Sequence, residues 1–182
     1  KYIKIFTTGL AIFSSPYSFA KNITYFEIER MSIGDSALQF ISAKDLLALQ
    51  TETDQNAEYK ESVFIPNNKE SEYSIVSIWY KNNDKKFILE SIEGYIYYEK
   101  NFENCFIKKN EIINTLSNLD REVEWVTKNY EDEEIKSEIT YGIFKTGHLM
   151  MLYCNDYLNK KNDDLSVYIR TIEYHLWKSN NK

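Results

Sequence analysis

Proline and glycine are scarce: the 182 residues include only 2 Pro and 5 Gly. That excludes a collagen-like chain or one organised around flexible linkers. Histidine and cysteine number 2 each, and the CxxC, HExxH and calcium-loop spacings are all missing. No metal site and no cofactor are therefore expected. No run of Lys or Arg exceeds two residues, and the chain is acidic, with a net charge of −6. Such a body repels phosphate backbones, so nucleic acid is not an expected partner. No apolar run reaches the roughly 20 residues that span a bilayer, so no stable membrane span is expected.

What is present is enough apolar material for a core. Hydrophobic residues make up 43% of the chain and charged residues 27%. Residues 1–20 have a three-part layout of their own. Lys1 and Lys4 form a basic start, Ile5 to Phe13 is apolar, and Ser18 and Ala20 are small residues at −3 and −1 of a cut after Ala20. This is the layout of a secretory signal peptide. It leaves residues 21–182 as one folded domain with 20 Lys and Arg against 28 Asp and Glu, a net charge of −8. A periplasmic or secreted location follows. In an oxidising space the pair Cys105 and Cys154 is expected to form a disulfide tying a central helix to a late strand.

Hydrophobic periodicity orders the rest of the chain. Residues 23–30 are β-branched and aromatic and read as a first strand. Residues 35–50 read as two short helices, the second capped by Ser42 with Asp45 three residues on. Residues 51–61 read as a loop, 62–65 as a short strand, and 73–80 and 87–99 as a strand pair with a bulge at Gly94. Asn101 opens a longer helix with Phe102, Cys105, Phe106, Ile112, Ile113, Leu116 and Leu119 on one side. Residues 120–137 are charge-rich, and Glu131 to Glu134 read as a solvated loop or helix end. A hairpin follows over 138–144 and 149–154, then a polar connection over 155–164, a strand over 165–169, and a terminal helix capped by Thr171. Hairpin-linked strands with helices between the groups make an α+β fold. Its sheet is mostly antiparallel, with two short N-terminal helices and one longer central amphipathic helix.

Three motifs bear on function. Gly34-Asp35-Ser36-Ala37-Leu38 resembles the opening block of the GDSL esterase family. That resemblance implies Ser36 as a nucleophile and requires His148 or His175 as its base. The family's later blocks do not match, since Tyr153 and Ile172 stand where they carry Gly and Asp. The competing reading is that Asp35 or Ser36 caps a helix. The stretch Ile33 to Leu38, after one strand and before two short helices, resembles outer-membrane assembly and inhibitor domains of the BamE type. That implies a non-catalytic scaffold whose partner is another envelope protein or a peptide. The whole chain resembles an uncharacterised family of small exported bacterial proteins in Met31 to Leu38, Ile92 to Tyr98, Glu103-Asn104-Cys105 and Tyr153-Cys154. That family implies export and the cysteine pair, and no assigned activity.

Finally, the chain has 15 Tyr and 3 Trp. Trp79, Tyr80, Tyr95 and Tyr97, on neighbouring strands, are candidates for a sugar- or peptide-binding face. The alternative is that they form core and cross-strand pairs.

Overall fold

A computed structural model describes residues 26–51 and 56–181. The signal-peptide reading of residues 1–20 lies outside them. Seven strands form one sheet in the order β1-β2-β3-β7-β6-β5-β4. They are β1 (Tyr59–Phe64), β2 (Ile75–Lys81), β3 (Ser91–Glu99), β4 (Glu124–Glu131), β5 (Ile135–Ile143), β6 (His148–Tyr157) and β7 (Asn162–Thr171). Every neighbouring pair is antiparallel. Among the described residues the α-helices are α1 (Ala43–Ala48), α2 (Phe102–Leu119) and α3 (Ile172–Asn180).

The chain builds a three-stranded meander, crosses over through α2 to the far edge, and returns by a four-stranded meander that closes on β3. The fold is α+β with an antiparallel sheet. Of the two short N-terminal helices expected, only α1 is an α-helix; the other is a single 3-10 turn, Ala37–Gln39.

Strand alternation gives the sheet two faces. On the first, Val76, Ile78, Ile92, Ile96, Leu165, Val167, Ile169, Met150, Leu152 and Cys154 form a buried apolar layer. Helix α2 covers one part of it with Cys105, Ile112 and Leu116. The segment 26–50 covers the other with Ile28, Met31, Ile33, Ala37 and Leu46. Cys105 and Cys154 are joined as a disulfide with their Cα atoms 5.7 Å apart, linking α2 to β6. Beside it the buried Lys109 pairs with Glu138 of β5.

Helix signals hold at atomic detail where a short polar side chain precedes the helix. Ser42 accepts from the Asp45 amide at 3.2 Å and donates to its carboxylate at 2.6 Å. Thr171 accepts from the Tyr174 amide at 3.2 Å. Asn101 precedes α2 but makes no side-chain cap bond.

Several strand expectations do not hold. Residues 28–31 form a tight turn, with paired backbone bonds between Ile28 and Met31 and with Glu29 and Arg30 at φ 51° and 66°. Residues 59–61 belong to β1, and the first part of the charge-rich region, 124–131, forms the edge strand β4. Apart from Trp125 its side chains are exposed, so it carries no apolar alternation and its sequence looks like loop. Gly94 is not a bulge, because its register to Val76 and Val167 is continuous. A Cβ there would lie 2.5 Å from the Tyr73 ring, so glycine makes room for an aromatic packed across the strand. Gly142 does the same beneath Trp125.

Candidate functional site

The second face of the sheet is polar and aromatic. The α3 helix lies on its β1–β2 corner, where Tyr174 meets the Tyr59 ring at 5.2 Å and the Trp79 ring at 5.4 Å. Trp177 completes the cluster, 4.8 Å from Tyr59 and 6.3 Å from Trp79. Sequence explains this placement. Tyr59 and Trp79 share a face because Glu61 pairs with Trp79 and Tyr59 with Lys81. Tyr174 and Trp177 stand three apart on α3 and so project to the same side.

A cavity of about 580 Å³ opens against this cluster, lined by Tyr59, Trp79 and Trp177, with Asn56, Glu58, Lys178 and Asn181 around it. Its size lies within the range of about 300–1,000 Å³ usual for small-molecule sites. The Lys178 ammonium lies over the Trp79 ring, 4.1 Å from its centre. The Tyr59 hydroxyl, Trp79 Nε1 and the Tyr174 hydroxyl are all buried without a hydrogen-bond partner. Each such group costs about 1–3 kcal/mol. Three in one cluster is a concentration that folding alone does not favour. Burial, with Glu173 adding to it, pushes the Tyr59 hydroxyl up to about 12. Burial likewise pushes Tyr174 up, so both phenols stay protonated donors at neutral pH.

The sequence candidates divide between places. Trp79 is in this cluster. Tyr80, next in sequence, points to the other face and is core: it is 1% exposed, and its hydroxyl meets Gln50 and Ser62 at 2.9 Å each. Tyr95 lies further along the polar face, edge-on to Tyr168 at 6.0 Å. Tyr97 is 43% exposed and lines a second cavity of about 260 Å³ with Tyr157, Lys160, Lys161 and Asp164. The sequence reading missed Tyr59, Tyr174 and Trp177. The signal for the last two was their helical spacing after the Thr171 cap.

Between the two cavities runs a line of buried polar side chains. Arg170 donates to Glu93 at 2.6 Å, and its guanidinium lies over Tyr168 at 4.7 Å. Burial works to lower the Arg170 pKa, but the Glu93 carboxylate overrides it and holds it above the usual value. On β7, Asp164 accepts from Asn155 and Ser166 at 2.8 Å each. Burial raises its pKa, against these hydrogen bonds.

The esterase residues occupy separate elements. The Ser36 hydroxyl donates to the Lys86 carbonyl at 2.5 Å and accepts from the Leu38 amide at 3.3 Å, as a cap does. His148 opens β6 and pairs through Nδ1 with Thr146 at 2.8 Å. His175 lies on α3, on the opposite face of the sheet from the segment that holds Ser36. Among the described residues, no group of His, Cys, Asp and Glu side chains could hold a metal ion, and no helix is long and apolar enough to cross a membrane.

Comparison with protein-family models, with curated proteins and with solved structures finds no match to this chain.

Proposed function

We propose that this chain is an exported, non-catalytic binding module of the bacterial envelope, and that it holds a saccharide in the cavity between α3 and the β1–β2 corner. The observation that carries this reading is the set of three buried, unpartnered polar atoms, on Tyr59, Trp79 and Tyr174, set among aromatic rings beside an open cavity. Indole N–H only donates and a protonated phenol can donate, so all three groups can donate to an acceptor oxygen that no neighbour supplies. A sugar ring brings hydroxyl oxygens to such donors and an apolar C–H face to Trp177. Asn56, Glu58 and Asn181 at the cavity edge suit the remaining hydroxyls. Export is supported by the leader layout of residues 1–20 and by the Cys105–Cys154 bridge, which suits an oxidising compartment.

The Lys178 ammonium lies over the Trp79 ring at the cavity wall, so a sugar that reaches Trp79 displaces it. Isothermal titration of the oxidised chain with cellobiose, maltose and chitobiose tests the reading. At least one disaccharide is expected to bind saturably. Trp177→Ala should abolish that binding, Lys178→Ala should preserve or strengthen it, and Tyr97→Ala, in the other cavity, should leave it unchanged. Binding that ignores Trp177→Ala contradicts the assignment.

A further inference from the structure

Strand β4 is an outer edge of the sheet, hydrogen-bonded to β5 alone. Its eight residues, Glu124 to Glu131, run in unbroken register with β5. Edge strands are ordinarily protected by shortness, charged side chains, proline, a bulge or a covering element. This one has neither proline nor bulge. Val126, Tyr130 and the adjacent Ile143 are 51%, 53% and 61% exposed on the same face of the sheet. Glu122 and Glu131 are paired with Lys145 and Lys136, but Glu124 and Lys128 have no ion-pair partner among the described residues.

Those two unpaired charges stand two residues either side of Val126. In an antiparallel pairing of β4 with β4 of a second copy, centred on Val126, Glu124 lies opposite Lys128 of the second copy, and Lys128 opposite its Glu124. Val126 meets Val126 between them, all on one face. The same register brings Arg121 alongside Glu131 of the second copy. Centring the pair on Lys128 instead sets Lys128 against Lys128 of the second copy, which repels. We propose that this edge pairs with the same edge of a second copy in the Val126-centred register, continuing the sheet through both molecules. A single strand pair with a small apolar flank makes a weak, concentration-dependent dimer. This inference is independent of the saccharide cavity, which lies at the opposite edge of the sheet.

Sedimentation velocity of the oxidised full chain over a wide concentration range tests it. A monomer–dimer equilibrium that weakens as salt is raised is expected. Lys128→Glu turns both cross-strand pairs repulsive and should raise the dimer dissociation constant about tenfold or more. The double exchange Glu124→Lys with Lys128→Glu rebuilds both pairs in reverse and should restore dimerisation, which also shows that the variants fold. A chain that stays monomeric at every concentration overturns the proposal. So does a dimer that is indifferent to Lys128→Glu, or one that the double exchange fails to restore.

Discussion

The Arg170 guanidinium meets the Glu93 carboxylate at 2.6 Å near the middle of the sheet, with side-chain exposures of only 12% and 7%. The pair lies between neighbouring strands, since Glu93 is opposite Tyr168 and Arg170 opposite Ser91. Its geometry holds two desolvated charges together, so removing one strands the other. Arg170→Leu should destabilise the chain by about 3–5 kcal/mol in urea unfolding, whereas removing both charges with Glu93→Leu should cost distinctly less. Equal losses for the single and double variants contradict this.

The disulfide joins positions 49 residues apart. A closed loop of that length stabilises by about 4 kcal/mol in the chain-entropy account. Replacing both Cys105 and Cys154 with Ala should lower the denaturant midpoint by a corresponding amount. Because α2 also packs on the sheet through Ile112 and Leu116, the reduced fold should remain cooperative. Loss of α2 from the reduced protein, seen by hydrogen exchange confined to that helix, speaks against the packing described.

Gly94 is a spatial requirement of Tyr73. Gly94→Ala should cost about 1–3 kcal/mol through overpacking. In a Tyr73→Ala background the same change should cost little, and the double-mutant cycle measures the coupling. An equal cost in both backgrounds points to the backbone and away from the ring.

Asp164 gives a pH signature of definite sign. Burial raises its folded-state pKa above the ordinary 3.8, outweighing its hydrogen bonds from Asn155 and Ser166. The native state therefore binds this proton more tightly than the unfolded chain does. The stabilisation is fully present below the ordinary value and is lost as pH rises through the raised one. Asp164→Asn removes that titration. Relative to this variant, the wild type should lose stability between strongly acid pH and neutrality, measured by urea midpoints across that range. A gap that moves the other way excludes burial as the dominant influence.

Much of this fold is written in local pattern. The alternation of Ile75 to Tyr80 and of Ile92 to Tyr98, the three-and-four spacing of α2, and the caps at Ser42 and Thr171 are each set by neighbours in sequence, and each is found where those neighbours put it. The cysteine bridge was likewise readable from its even count. What was not readable depends on partners far along the chain. Strand β4 is held by β5 and by its place at the edge, so its own residues alternate in nothing. Gly94 looks like a bulge until Tyr73 is seen over it. The site was the least legible part. Trp79 stood out as an aromatic, but the groups that give it a cavity, Tyr59 and Trp177, come from an opening strand and a closing helix. Only the long return of β4 to β7 brings that helix onto the face. Tyr80 was grouped with Trp79 by adjacency, although strand alternation sends the two to opposite faces.

The Trp79 indole N–H resonance, followed by two-dimensional nuclear magnetic resonance during titration with the tightest-binding disaccharide, reports on the central claim at the atom concerned. It should shift saturably as the unpartnered N–H gains an acceptor, and slow its exchange with solvent. A Trp79 signal that stays fixed while the sugar binds, or that is unmoved by all three disaccharides, contradicts the assignment of this cavity as the binding site.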